Sequence, residues 1–133
     1  MENSAEIVSS DVSVVGLFTQ HMGTDVLAKQ STQDGMDTFW ITRASLRKAL
    51  QFCKNGIPQS FGILYDITAI DERYKQHRLH KTDILQPAAR EMLFSNEWTV
   101  VYHLLSLERN QFLRLKVPLQ TAEQSLPSVV DIW

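Results

Sequence analysis

The run Trp98-Thr99-Val100-Val101-Tyr102-His103-Leu104-Leu105-Ser106-Leu107 decides the fold, together with Phe112-Leu113-Arg114-Leu115-Lys116-Val117-Pro118-Leu119 beyond it. A strand sends successive side chains to opposite faces, so residues two apart share a side. In the first run Trp98, Val100, Tyr102 and Leu104 share one face, and Val101, His103, Leu105 and Leu107 the other. Apolar residues on both sides predict a central strand that is covered, at least in part, on both. In the second run Leu113, Leu115, Val117 and Leu119 alternate with Arg114 and Lys116, which predicts one buried face and one wet face. Glu108-Arg109-Asn110-Gln111 between the runs reads as a tight turn. Pro118 has no backbone N–H, so the second strand must end there or lie at an edge.

Upstream, Phe61 to Thr68 alternates Phe61, Ile63, Tyr65 and Ile67 with Gly62, Leu64, Asp66 and Thr68, which predicts another strand. Before it, Leu46, Ala49, Leu50 and Cys53 recur at helical spacing and predict a helix from about Arg43 to Lys54, ended by Asn55-Gly56 and Pro58. Thr38 to Thr42 is β-branched and aromatic, a strand signal. Asp25 to Lys29 is a weaker strand, joined to it through a hairpin turn at Gln33-Asp34-Gly35. Val8, Val12, Val15, Phe18 and Met22 predict a first helix, capped by Ser10 or Asp11 and ended by Gly23. From Asp71 to Asn96 the pattern becomes charged and irregular, with one or two helical turns expected at Pro87 to Leu93. The order α-β-β-α-β-loop-β-β gives an α+β two-layer domain: a mostly antiparallel sheet of about five strands with helices mainly on one face. Residues 1–10 read as a flexible N-terminus and 11–133 as the domain.

Composition narrows the function. The chain has 133 residues, 13 Lys and Arg against 15 Asp and Glu, and a formal net charge of −2. That balance argues against a dedicated nucleic-acid binder, which concentrates basic residues. Cys53 is the single cysteine, so neither an internal disulfide framework nor a cysteine-cluster metal site can form. No stretch approaches the ~18 uncharged apolar residues of a membrane span, and Met1 to Glu6 does not read as a secretory signal.

Candidate chemistry is sparse. His77, His80 and Asp83 have ligand-like spacing, but Arg78 and Lys81 between them oppose a bound cation. The run Arg73, Lys75, Arg78 and Lys81 is a basic loop suited to an acidic protein surface. Cys53 sits on an apolar helical stripe and reads as core. His103 in a core strand reads as a hydrogen-bonded structural residue. Asp66 needs a partner, because a buried lone carboxylate is costly; Asp66 or Asp71 with Arg114 or Lys116 is the expected pairing. No matched acid–base pair, nucleophile motif or phosphate-binding glycine loop is present.

The segment Glu97 to Asn110, with Leu113-Arg114-Leu115-Lys116-Val117 after it, resembles the central hairpin of a family of respiratory complex I, that of its C-type or thirty-kilodalton subunit. Leu64-Tyr65-Asp66-Ile67-Thr68-Ala69-Ile70-Asp71 is similar to that family's Asp-x-Thr-x-x-Asp strand. Pro127-Ser128-Val129-Val130-Asp131-Ile132-Trp133 is similar to the start of its next segment. The family's Asn-Trp-x-Glu-Arg-Glu helix, leading to Asp-x-Phe-Gly, is not reached by Trp133. The chain is therefore expected to be the N-terminal piece of a separate C-type subunit or of a fused C/D protein.

The resemblance implies a segment of the proton-pumping NADH–quinone oxidoreductase, in its hydrophilic arm on the cytoplasmic side of the bacterial membrane. It implies packing against the D-type (forty-nine-kilodalton) subunit that forms the quinone cavity and against an iron–sulfur subunit. The whole complex uses FMN, iron–sulfur clusters, NADH and quinone; this segment is expected to bind none of them, nor a metal, and to carry no catalytic residue. Asp66, Asp71, Tyr102, His103, Arg114 and Lys116 carry the match and are expected to specify the fold. Trp133 is a possible partner contact. A reading of another class is a free-standing protein-binding module that uses the basic loop at 73–81.

Overall fold

The computed structural model describes residues 13–73, 82–123 and 125–133. Helix α1 (Val14–Met22) buries Val14, Phe18 and Met22, each four residues apart and so on one face. It stops at Gly23, whose φ of +57° lies in the left-handed region that favours glycine. The predicted caps Ser10 and Asp11, like Val8 and Val12, lie outside the described residues. Strands β1 (Val26–Gln30) and β2 (Asp37–Ile41) pair antiparallel, as the Asp34-Gly35 signal predicts, with Gly35 at φ +72°. Thr42 then accepts the backbone N–H of Ser45 and starts the turn into α2 (Leu46–Asn55). Leu46, Ala49, Leu50 and Cys53 form the buried stripe of α2, as read from their spacing. Fully burying one leucine contributes roughly 2 kcal/mol.

Strand β3 (Ile63–Asp71) follows, then β4 (Thr82–Ile84), a 3-10 turn opened by Pro87, and α3 (Arg90–Ser95). Strands β5 (Trp98–Ser106) and β6 (Gln111–Leu119) form the antiparallel hairpin read first in the sequence. Its turn puts Asn110 at φ +53°, and Ser106 Oγ accepts the Arg109 N–H at 3.1 Å. The sheet has six strands in the order β3-β5-β6-β2-β1-β4. Every neighbouring pair is antiparallel except β2 with β6.

Three details go beyond the sequence reading. The additional strand, β4, is three residues long and exists through its pairing with β1. The β2–β6 pair is parallel and runs only from Asp37↔Leu113 to Trp40↔Lys116. Pro118 therefore falls beyond the reach of β2, where β6 needs no donor on that side. The third concerns β3. Phe61, Ile63, Tyr65 and Ile67 were expected on one face, but the register slips between Leu64 and Asp66, a β-bulge. Ile63 faces Leu105 and Ile67 faces Tyr102, which lie on opposite sides of β5, so the alternation breaks at Tyr65. Phe61 is buried ahead of the strand, while Ile63, Tyr65 and Ile67 are 37%, 61% and 47% exposed.

The main core lies between α1, α2 and one face of the sheet, where Phe18 stacks on Phe39 at 4.7 Å between ring centres. Val129 and Ile132 close it from the C-terminal side, held by Arg47 on both carboxylate oxygens of Asp131 at 2.8 and 2.7 Å. A smaller cluster on the other face packs Ala89 and Leu93 against Leu27, Ala28 and Trp40. So α3 covers the β1–β2 end of that second face. The β3–β5–β6 end has no helix over it among the described residues and carries polar side chains beside Val101, Leu105 and Phe112.

Candidate functional site

The polar side chains form a row across four strands. Register places Asp66 of β3 opposite His103 of β5, His103 opposite Arg114 of β6, and Arg114 opposite Thr38 of β2. His103 Nδ1 lies 2.6 Å from Asp66 Oδ1. Arg114 donates Nε–H to His103 Nε2 at 2.9 Å, and its amino groups reach Thr38 Oγ1 at 3.3 Å and Asp34 Oδ2 at 2.8 Å. An arginine has no lone pair to offer, so Nε2 is the acceptor and the ring proton resides on Nδ1, directed at Asp66. The expected pairing of Asp66 with Arg114 thus runs through the imidazole rather than directly.

Asp34 ends the row in the β1–β2 turn. The Thr32 hydroxyl, then the Arg114 guanidinium and the Met36 N–H, hold its carboxyl well below the usual carboxylate range. Lys116 lies along the same face, donating to Gln30 Oε1 at 3.0 Å and standing 5.2 Å from the centre of the Trp40 ring. Trp40 Nε1–H donates to the same oxygen at 3.1 Å.

The other matched residues sit apart. Tyr102 is buried on the helix side, and burial pushes its phenol up. Asp71 lies at the far end of β3, where Arg73 bridges both its oxygens at 2.9 and 2.8 Å. That guanidinium lowers the Asp71 carboxyl to about 2 and lies 4.9 Å from the centre of the Trp98 ring. Trp133 is half-buried against the core and donates Nε1–H to Gly62 O at 3.0 Å. Cys53 is fully buried, and burial pushes its thiol far above its ordinary value. Asp83 lies in β4; His77, His80 and the basic loop beyond Arg73 lie outside the described residues. Among the described residues no group of three or more His, Cys, Asp or Glu converges on a point that could hold a metal.

Sequence reading missed a second polar cluster. Thr99 Oγ1–H donates to Glu72 Oε2 at 2.6 Å, and Asn96 Nδ2 donates to Thr99 Oγ1 at 3.0 Å and to Trp98 O at 2.7 Å. Asn96, Thr99 and Glu72 are all buried. The available signal was Thr99 inside an apolar strand, since a buried hydroxyl needs a partner.

Chemically, the row is a closed set of hydrogen bonds. An imidazole oriented by a carboxylate resembles the base of a hydrolytic triad, but there the second nitrogen must be free to take a proton. Here Arg114 occupies it. The side chains stitch β3, β5, β6 and β2 together on the face that α3 leaves open.

The family model for the respiratory-chain NADH dehydrogenase 30 Kd subunit matches residues 39–133, which hold Asp66, His103 and Arg114 of this row but not Asp34 or Thr38. The chain belongs to that family. Three curated relatives are C/D subunits of NADH-quinone oxidoreductase. The protein from Acidiphilium cryptum (strain JF-5) is 34% identical over 98% of this chain and 20% of its own length. That from Nitrosospira multiformis is 38% identical over 86% of this chain and 17% of its own length. That from Methylococcus capsulatus is 32% identical over 90% of this chain and 18% of its own length. The chain thus spans about a fifth of the relatives it matches. In this member of the respiratory-chain family, the matched residues run from Phe39 in β2 through the β5–β6 hairpin to Trp133. No helix among the described residues is long and apolar enough to cross a membrane.

Proposed function

We propose that this chain is a non-catalytic structural segment of a proton-translocating NADH–quinone oxidoreductase. In this reading it sits in the hydrophilic arm, peripheral to the membrane on the cytoplasmic side. It packs against the D-type subunit and the neighbouring iron–sulfur subunit, and holds them at fixed spacing. FMN, iron–sulfur clusters, NADH and quinone belong to the complex as a whole and none of them to this segment. Trp133 and the surface around it lie at the margin of the contact.

The observation that carries the reading is how the matched residues are used. Asp66, His103 and Arg114 hydrogen-bond to one another, and Lys116 bonds to Gln30. Their chemistry is spent between strands, which supports a fold-specifying role. The family match and the C/D relatives supply the assembly.

The test is incorporation. A tagged copy of the chain, in the polypeptide that carries it, should co-purify from detergent-solubilised membranes with NADH–quinone reductase activity. The chain purified by itself should be colourless and should not oxidise NADH. A bound flavin or iron–sulfur absorbance in the isolated chain, or recovery free of the other subunits, overturns the proposal.

A further inference from the structure

The two edges of the sheet differ. β4 has three residues and is followed by Pro87, a short edge that offers little to a passing strand. β3 has nine residues, paired only with β5, and its other side is open among the described residues. An open edge of that length is a template for another strand, and proteins usually guard it with Lys, Pro or covering structure. From Phe61 to Asp71 there is no Lys, Arg or Pro; there are two carboxylates, Asp66 and Asp71. Ile67 is 47% exposed on this edge.

The faces on either side of the edge have different chemistry. On the α1–α2 face, Ala69, Trp98, Val100 and Leu119 line an apolar groove of about 270 Å³, with Ile67 next along β3. On the other face stands Asp66, its side chain 42% exposed although it faces His103. A strand laid along β3 would meet an apolar groove with every second side chain and a carboxylate with the next. A second copy of this chain fits poorly, because its own β3 carries no Lys or Arg from Phe61 to Asp71 and so brings no cation to Asp66.

We infer that the free edge of β3 receives an extended strand of a partner subunit, with apolar side chains alternating with Lys or Arg. Main-chain hydrogen bonds supply the affinity, and the groove and Asp66 supply the choice of sequence, as in other strand additions. The inference rests on the assembly reading above, because it places the partner within that complex.

Two measurements test it. Amide hydrogen exchange across 63–71 is compared between the isolated chain and the purified oxidoreductase that carries it. Ile67→Lys is compared with Leu107→Lys, a control at a 73%-exposed turn position away from this edge. The expected results are exchange at least tenfold slower for β3 in the complex, and at least tenfold lower incorporation of I67K than of L107K. Equal exchange of β3 in both states overturns the inference, and so does normal incorporation of I67K. Should I67K not fold, the exchange comparison decides alone. A concentration-dependent dimer of the isolated chain that I67K abolishes assigns the edge to a second copy and also overturns it. Failure of the unsubstituted chain to enter the complex is a different outcome and refutes the assembly reading itself.

Discussion

Arg114 donates to Nε2 of His103 across the β5–β6 ladder at 2.9 Å, so the imidazole is held neutral-side toward arginine and proton-side toward Asp66. This fixes a tautomer, and a tautomer is measurable. Nitrogen-15 spectra of the folded chain at neutral pH should show His103 protonated on Nδ1 and bare on Nε2. The reverse assignment would contradict the geometry. Arg114→Met should lower stability by about 2 kcal/mol, because it strips donors from a half-buried ring nitrogen and from Asp34 and Thr38. Chemical denaturation reads that loss.

Asp34 gives a pH prediction. Its folded-state carboxyl is held below the ordinary 3.8. The stabilisation it brings is therefore present above that ordinary value and is lost as pH falls toward the folded value. Urea midpoints should drop on acidification below pH 3.8, and Asp34→Asn should flatten that acid limb by lowering the neutral plateau, the two proteins converging at low pH. The size is small, since the pair is half exposed to solvent. An unchanged acid limb in D34N would show that other carboxylates control it.

Cys53 is expected to be inert. Its thiol is buried among α2 neighbours and its ionisation is suppressed. A thiol reagent should modify it only at the rate of global unfolding. Cys53→Ala should cost about 1 kcal/mol and Cys53→Ser more, because the hydroxyl is a stronger hydrogen-bonding group to leave without a partner. Rapid labelling of native protein would show that α2 opens locally.

Phe39 anchors the main core through its stack on Phe18. Phe39→Ala should remove about 3–5 kcal/mol, a large share of the roughly 5–15 kcal/mol expected for a single domain. Ile67→Ala on the open edge of β3 should cost well under about 1 kcal/mol. Thermal melts of the two variants separate core from edge.

Much of this was readable in the residues because local pattern and tertiary burial agree. The stripe on α2 and the alternation of Leu113, Leu115 and Val117 each name a buried face directly. The rest depends on relations between distant segments. β4 carries too little pattern in three residues, and only its pairing with β1 makes it a strand. The slip at Tyr65 is a matter of register against β5, invisible in β3 alone. At the candidate site, Asp66 could be recognised as needing a partner and His103 as structural. That His103 stands between Asp66 and Arg114 follows from the order β3-β5-β6. Glu72 lay in a charged run that gave no sign of its burial beside Thr99.

The parallel β2–β6 pair has a consequence for biosynthesis. Thr38 and Arg114, hydrogen-bonded in the finished sheet, are 76 positions apart in the chain. While the polypeptide is still being translated, the first hairpin has no inner neighbour until β6 leaves the ribosome. Such remote closures slow folding. The inner edge of β2 must therefore wait unpaired, and that interval is when chaperone holding or misassociation would act on it.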